Sequence, residues 1–248
     1  MRSHRIVADP GELARAAAER FVRISREAVE ASGSFSVALA GGSTPRALHE
    51  ALADPDGPFF GSVAWDKVRF FFGDERHVPP DHPDSNYRMA YDTLLSKIPV
   101  RPGSVVRFYA EGEDAASVAS HYETLLRSAF RIGPGDVPRF DLLLLGMGED
   151  GHTASLFPGS DALAETEKLA AAPWVEKLGA HRFTLTPPVL NGAAHVVFLV
   201  SGEAKAATVR EALEGEHRPE RLPAQIVRPT DGTVLWLVDR EAGRLLRA

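Results

Sequence analysis

The segment Gly146-Met147-Gly148-Glu149-Asp150-Gly151-His152 puts a carboxylate and an imidazole two residues apart on a glycine-rich turn. A carboxylate beside an imidazole selects its tautomer and favours proton acceptance, and a histidine of ordinary pKa, about 6.5, is largely neutral at pH 7. His152 is therefore a candidate general base with Asp150 as its partner. The alternative is a histidine that only hydrogen-bonds a turn. The same stretch spells Gly146-x-Gly148-x-x-Gly151, a literal dinucleotide fingerprint. That reading requires the third glycine to open a long helix and an acidic residue to end a second strand about twenty residues on. Here Pro158 breaks any such helix early, and Glu165 and Glu167 fall in a polar, helix-like stretch, so a dinucleotide is not expected.

Two other loops pair charge or hydroxyls with strand ends. In Gly41-Gly42-Ser43-Thr44-Pro45 the glycines allow a tight turn, the free N–H groups of a helix start face a ligand, and Ser43 and Thr44 add hydroxyls. That combination suits a phosphate, or is an ordinary helix start. No lysine follows the glycines, so a monophosphate fits better than a nucleoside triphosphate. The second loop, Gly73-Asp74-Glu75-Arg76-His77-Val78-Pro79-Pro80, follows a Phe-rich strand and leads into Asp84-Ser85-Asn86-Tyr87. Acid, acid, base and imidazole at the end of a buried strand each need a partner, which places them at a crevice; the bland reading is a surface triplet with Asp84 or Ser85 capping the next helix. Arg182 and Lys205 also follow turns or strands. They suit a phosphate clamp, Arg by bidentate hydrogen bonds and Lys as a mobile point charge, or are surface charges.

These loops need elements to hold them. Asp9-Pro10-Gly11-Glu12 spells a helix start with Asp9 as N-cap, Pro10 at the first helical position and Glu12 completing a capping box; the helix ends at Gly33. Strands are expected at Ser36–Ala40, Val68–Phe72, Val105–Tyr109, Asp141–Leu145, Arg182–Leu185, His195–Ser201 and Thr233–Val238. Helices are expected from near Pro45 and over Ser85–Lys97, Asp114–Phe130 and Glu203–Leu213. Strands that are apolar throughout and alternate with amphipathic helices indicate a doubly wound α/β fold, a mostly parallel sheet with helices on both faces. Ligands of such folds bind outside the carboxyl ends of the strands, where all these loops lie.

Bulk properties narrow the classes. The 248 residues, 44% hydrophobic and 25% charged, suit one α/β domain over residues 1–248, with no repeat or long linker. A net charge of -6 without a Lys/Arg run argues against a nucleic-acid partner. The absence of cysteine excludes disulfides and thiolate metal sites, and the nine histidines form no compact ligand pattern, so no metal is expected. Residues Met1 to Pro10 lack the apolar stretch of a signal peptide and no apolar run is long enough to span a bilayer, so the expected compartment is the cytoplasm, with no membrane partner. The sequence is silent on oligomeric state, monomer or weak dimer.

Taken together, Ala40-Gly41-Gly42-Ser43-Thr44-Pro45, Gly73-Asp74-Glu75-Arg76-x-Val78-Pro79, Ser85-Asn86-Tyr87, Gly146-x-Gly148-x-Asp150-Gly151-His152-Thr153-Ala154-Ser155-Leu156-Phe157-Pro158-Gly159 and Arg182-x-Thr184-Leu185-Thr186 resemble the 6-phosphogluconolactonase family in order and spacing over nearly the whole chain. The resemblance implies hydrolysis of 6-phospho-D-glucono-1,5-lactone to 6-phosphogluconate, the second step of the oxidative pentose phosphate pathway, without metal or organic cofactor. It implies His152 as general base on water, oriented by Asp150 or another carboxylate. Arg76, Arg182 and Lys205, with Gly42, Ser43 and Thr44, would hold the phosphate, and Asn86 would join the substrate-binding set. Asp74 would contact sugar hydroxyls or His152. The N–H groups of the Gly146–Gly148 turn are the expected donors to the oxyanion.

The rival is glucosamine-6-phosphate isomerase/deaminase, which shares the outline of the Gly-Ser-Thr-Pro and Asp-Gly-His motifs. Its histidine segment resembles Asp-Gly-His-Ile-Ala-Phe-Asn-Glu-Pro-Gly, whereas Thr153-Ala154-Ser155-Leu156-Phe157 stands here, and Gly73-Asp74-Glu75-Arg76 replaces Met-Asp-Glu-Tyr. A sugar-phosphate sensor fused to a DNA-binding unit is disfavoured, since no helix-turn-helix segment precedes the first core helix.

Overall fold

The structure is a computed structural model that describes residues 2–247. Its centre is a six-stranded parallel sheet in the order β1-β10-β9-β5-β2-β3. The strands are β1 (Arg2–Val7), β2 (Phe35–Leu39), β3 (Val68–Phe72), β5 (Leu142–Leu145), β9 (His195–Val200) and β10 (Thr233–Asp239). Every residue of β2 and β5 is buried, as the Phe-Ser-Val-Ala-Leu and Leu-Leu-Leu-Leu runs require of strands covered on both faces. The flanking helices are α1 (Pro10–Ser32), α2 (Ser43–Ala53), α3 (Asn86–Ala90), α4 (Ala115–Phe130), α5 (Pro187–Gly192), α6 (Ala206–Glu214) and α7 (Arg240–Gly243). Among the described residues no helix is long and apolar enough to cross a membrane. The doubly wound α/β expectation holds for this sheet.

The chain passes from β2 to β3 on one side and then crosses back to β5 on the other side of β2, so the direction of winding reverses between β2 and β5. That switch point opens a crevice at the carboxyl ends of these strands. The Gly41–Pro45 and Gly146–His152 loops are the two that leave it.

Several elements differ from expectation. A second, antiparallel sheet joins β4 (Asp74–Arg76), β8 (Ala180–Leu185) and β6 (Ala170–Ala171), with β7 (Trp174–Val175) also paired to β8. The strand expected at 182–185 therefore belongs here and not to the parallel sheet. The polar edge strand β1 was also unforeseen: four of its six residues are exposed, so it shows none of the apolar run that marks its neighbours.

Val105–Tyr109 is not a strand. The outer edge of β3 makes one bridge to it, with Phe70 N–H on the Ser104 carbonyl at 2.8 Å and Val106 N–H on the Phe70 carbonyl at 2.8 Å. Two residues on, the next outward-facing pair, Phe72 N–H and C=O, is taken by the Tyr122 hydroxyl at 3.0 and 2.9 Å, so the ladder stops there. The Tyr122 hydroxyl thereby secures the backbone just ahead of Asp74.

At the first helix, Asp9 caps Glu12 N–H at 2.8 Å and Gly33 ends the helix with φ 75°, both as read from the sequence. The Glu12 carboxylate reaches back to Ala8 N–H at 2.7 Å, one residue ahead of the capping-box position. The helix read at 85–97 is α3 followed by a π turn over Tyr91–Leu95. In that turn Thr93 Oγ1 donates to the Met89 carbonyl at 2.7 Å and lies 3.2 Å from Nδ1 of buried His49, a local side-chain bond that competes with regular winding. The last expected helix begins as a 3-10 turn, Glu203–Lys205, that leads into α6.

Candidate active site

The loop after β5 folds onto itself. Gly148 N–H donates to the His152 carbonyl at 2.9 Å, Gly151 N–H to the Gly148 carbonyl at 3.0 Å, and Thr153 Oγ1 to the Gly146 carbonyl at 2.8 Å. This hairpin-like turn presents His152 and explains Gly148. A Cβ there would stand 2.1 Å from His152 Nδ1, so the imidazole lies directly on the glycine backbone. Of the three glycines in the pattern, Gly148 serves ring packing, and Gly151, at φ 82°, packs against Leu222. The turn also removes Gly148 N–H from the donors expected for the oxyanion, because that group is spent inside it. Ala154, next along, sits in the left-handed region at φ 48°, a conformation an L-residue adopts at a cost of about 1–2 kcal/mol.

Asp150 Oδ1 lies 2.5 Å from His152 Nδ1 and also accepts His152 N–H at 3.2 Å. The other carboxylate oxygen accepts from the Lys177 ammonium. Burial pushes the Asp150 carboxyl up, but the hydrogen bonds from Lys177 and His152 outweigh it and hold the pKa down at about 2. An ionised Asp150 can only accept, so Nδ1 is the donor in this bond and Nε2 is the ring nitrogen left for the crevice, which His152 lines in both lobes. The imidazole stacks on Phe157, centroid to centroid 4.3 Å at 27°.

The opposite wall is the β4–β8 ladder, in which Arg76 and Arg182 are direct cross-strand partners. Arg76 donates to the Asp84 carbonyl and Arg182 to the His181 carbonyl at 3.2 Å; among the described residues neither is salt-bridged to a carboxylate. Burial pushes the Arg182 pKa down, and the neighbouring Arg76 charge pushes it further. The Asp74, Asp84 and Glu75 carboxylates oppose that shift without closing a salt bridge, so two like charges stand side by side in the ladder, an arrangement that suits an anion. Glu75 anchors this wall from behind. Its buried carboxylate accepts from the backbone N–H groups of Arg76, Asn86 and Tyr87 at 2.8, 2.7 and 2.8 Å and from the Ser85 hydroxyl at 3.1 Å. Burial raises the Glu75 pKa against those donors.

Asp74 accepts from the Ser155 hydroxyl at 3.2 Å and lines the crevice, while His152 is engaged by Asp150 and not by Asp74. Asn86 departs from its expected place. It is buried under the loops, donating from Nδ2 to the Asp74 carbonyl at 2.9 Å, and lines neither part of the crevice. A Cβ on Gly41 would lie 1.8 Å from Asn86 Oδ1, so Gly41 is the glycine that lets this side chain tie the first loop to β4.

The crevice has two lobes that share Asp74, Arg76, His152 and Ala154. The smaller, about 270 Å³, is walled by Gly42, Ser43 and Thr44 at the start of α2, by Gly146 to Gly148, and by Lys205. Gly42 precedes α2 with φ 102° and no side chain caps the helix, which leaves its first N–H groups pointing at the lobe. Burial lowers the Lys205 pKa, opposed by Glu149 and Asp239. The larger lobe, about 580 Å³, adds His77, Phe157, Lys177 and Arg182. Lys205 and Arg182 thus stand in different lobes, with Arg76 reaching both. Sequence reasoning missed Lys177, Phe157 and Ser155. Phe157 and Ser155 lay inside a quoted motif, but Lys177, an isolated lysine on the 3-10 turn Glu176–Leu178, had no local signal.

A switch-point crevice lined by Arg76, Arg182, Lys177 and Lys205, with an Asp–His pair at its waist, defines a doubly wound α/β protein whose site suits a small anionic ligand. More narrowly, the chain belongs to the family described as glucosamine-6-phosphate isomerases/6-phosphogluconolactonase, whose profile matches residues 8–236. It is similar to a 6-phosphogluconolactonase of Synechocystis sp., 40% identical over 221 residues that cover 89% of this chain and 88% of the relative. The solved structure of 6-phosphogluconolactonase from Trypanosoma brucei superposes with a TM-score of 0.87 at 32% identity, covering 100% of this chain and 99% of that one. A monomeric glucosamine-6-phosphate deaminase superposes with a TM-score of 0.80, but at 23% identity it shares the fold alone.

Proposed function

We propose that this chain hydrolyses 6-phospho-D-glucono-1,5-lactone to 6-phospho-D-gluconate, with His152 as general base. The observation that carries the reading is the Asp150–His152 pair, Nδ1 against the carboxylate at 2.5 Å, set in a crevice whose arginines lack carboxylate partners. Nε2 takes a proton from water as the oxygen attacks the lactone carbonyl, and the tetrahedral oxyanion collapses by expelling the ring oxygen. That oxygen recovers the proton from His152, so the imidazole ends neutral and the product leaves as the hydroxy acid, which ionises in water. The phosphate belongs in the smaller lobe, where the open N-terminus of α2, the Ser43 and Thr44 hydroxyls, Lys205 and Arg76 converge. Holding the substrate there directs its other end to His152 at the waist and gathers binding energy away from the reacting carbon. The larger lobe, with Arg76 and Arg182, then faces the developing carboxylate end. Names at 40% identity in one relative and 32% in a solved structure support the lactone over the amino sugar.

Purified protein added to freshly generated lactone will consume it well above the spontaneous rate and will release no ammonia from glucosamine 6-phosphate. Lactone loss at the background rate sinks the proposal. His152→Ala will lower kcat by on the order of a hundredfold or more with little change in binding of 6-phosphogluconate. Near-normal turnover in that variant removes His152 as the base.

A further inference from the structure

The 3-10 turn Glu176–Leu178, between β7 and β8, touches the catalytic loop through one side chain. Lys177 Nζ donates to Asp150 Oδ2, the oxygen that His152 does not use. The same ammonium stands 4.7 Å from the centroid of the Phe157 ring on which His152 stacks. Lys177, Asp150, His152 and Phe157 therefore close a loop of contacts: ammonium to carboxylate, carboxylate to imidazole, imidazole to phenyl, phenyl to ammonium.

We propose that Lys177 is a positioning residue for the Asp150–His152 pair, fixing the carboxylate in the plane that meets Nδ1 and offsetting its charge so that the imidazole stays free to take a proton. This inference rests on His152 being the base. A carboxylate bonded to a histidine alone has two opposing effects on catalysis. It sets the tautomer, but its full charge at 2.5 Å also favours the imidazolium, which has no lone pair with which to accept a proton from water. A second cation on the same carboxylate keeps the first effect and weakens the other. It also closes the rotation that a carboxylate with a single donor retains, and the apolar phenyl beneath keeps the ammonium and the imidazole in register.

Other charges face the pair from every side. Asp74 and Arg76 come from β4, His77 and Asp84 from the loop that follows, and Arg182 from β8. Glu149 precedes Asp150, and Lys205 comes from the turn before α6. All of these remain when Lys177 alone is replaced, so a change in pH dependence on that replacement belongs to Lys177. Its side chain is 52% exposed on a surface turn, so its removal leaves no buried hole.

The test is the pH profile of lactone hydrolysis by the full chain between about pH 5.5 and 8, for wild type, Lys177→Met and Lys177→Arg. In Lys177→Met the acid limb of kcat/KM will move up by about one pH unit, so that kcat drops several-fold at pH 6 and recovers towards pH 8. KM will change by less than about twofold, and Lys177→Arg will restore the wild-type limb. An unmoved limb in Lys177→Met overturns the proposal. So does a large rise in KM on an unmoved limb, since Lys177 would then be holding substrate. His152→Ala run in parallel separates the two ideas: an inactive His152 variant with an unmoved Lys177 limb refutes only the role of Lys177, whereas an active one refutes the base as well.

Discussion

At Gly148 the difference between a hydrogen and a methyl group decides where the His152 imidazole stands. The added carbon would lie 2.1 Å from Nδ1 and 2.8 Å from Asp150 Oδ1, well inside contact, so Gly148→Ala must push the imidazole away from both its carboxylate and its place at the waist. A displacement of about 1 Å at a reacting group costs on the order of a hundredfold in rate. Gly148→Ala will therefore lower kcat by about that factor while the urea midpoint moves little, because Gly148 is only half-buried and is not among the residues with positive φ. Turnover within twofold of wild type would show that the ring does not rest on this backbone. From sequence the glycines and His152 were legible as a unit, yet their relation was not. The spacing pointed to a turn, and only the coordinates reveal a glycine that is there for the ring.

The elements behind the site impose constraints of their own, and His49 on α2 is the clearest. It is fully buried, and among the described residues it has only Thr93 as a polar partner, at 3.2 Å, while its Nε2 has none. Burial, helped by Arg46, pushes its pKa from 6.5 down to about 3. Above pH 6.5 neither the folded nor the unfolded chain holds a proton there, and the stability of the neutral form is fully present. As pH falls from 6.5 towards 3 the unfolded chain binds a proton that the folded chain refuses, so stability declines through that window, by an amount of order a few kcal/mol. Urea midpoints measured across this range will fall less steeply for His49→Leu than for wild type; parallel slopes would assign the acid sensitivity elsewhere. The element types were largely readable because apolar periodicity is local. The π turn, the lost strand at 105–109 and the split start of α6 were not: at the π turn Thr93 bonds a carbonyl of its own segment, while at Phe72 and Gly202 the side chains of Tyr122 and Asp239 take backbone groups from other elements.

At the scale of the whole molecule the lobes are supported by buried carboxylates that line neither of them. Asp239, at the end of β10, accepts from the Ser201 hydroxyl, from Gly202 N–H at 3.1 Å and from Ala242 N–H at 2.7 Å. It thereby ties the end of β9 to α7 and sets the turn that carries Lys205. Asp239→Ala leaves these donors unpaired in a buried site and will cost on the order of 2–4 kcal/mol of stability. It will also raise KM several-fold with a smaller effect on kcat, because the Lys205 turn loses its anchor while His152 does not. Urea unfolding and steady-state kinetics on one preparation check both, and a stability loss with unchanged KM would separate Asp239 from the phosphate lobe.

What the amino-acid sequence determined by itself is whatever is local. Buried strands show as unbroken apolar runs, helix starts as Asp9-Pro10 and Gly42-Ser43, and the His152 imidazole with its carboxylate as neighbours on one turn. These follow from contacts within a few residues, which spacing encodes directly. The tertiary structure decided which distant residues meet. It sets Arg76 beside Arg182 across an antiparallel ladder, buries Asn86 beneath Gly41, and brings Lys177 to the free oxygen of Asp150, 27 residues away. A strand pairing or an ion pair between distant segments leaves no period in either segment, because its geometry is fixed by how the sheets pack. The Asp–His pair was therefore legible in the sequence, while the cation that completes it had to be found in the fold.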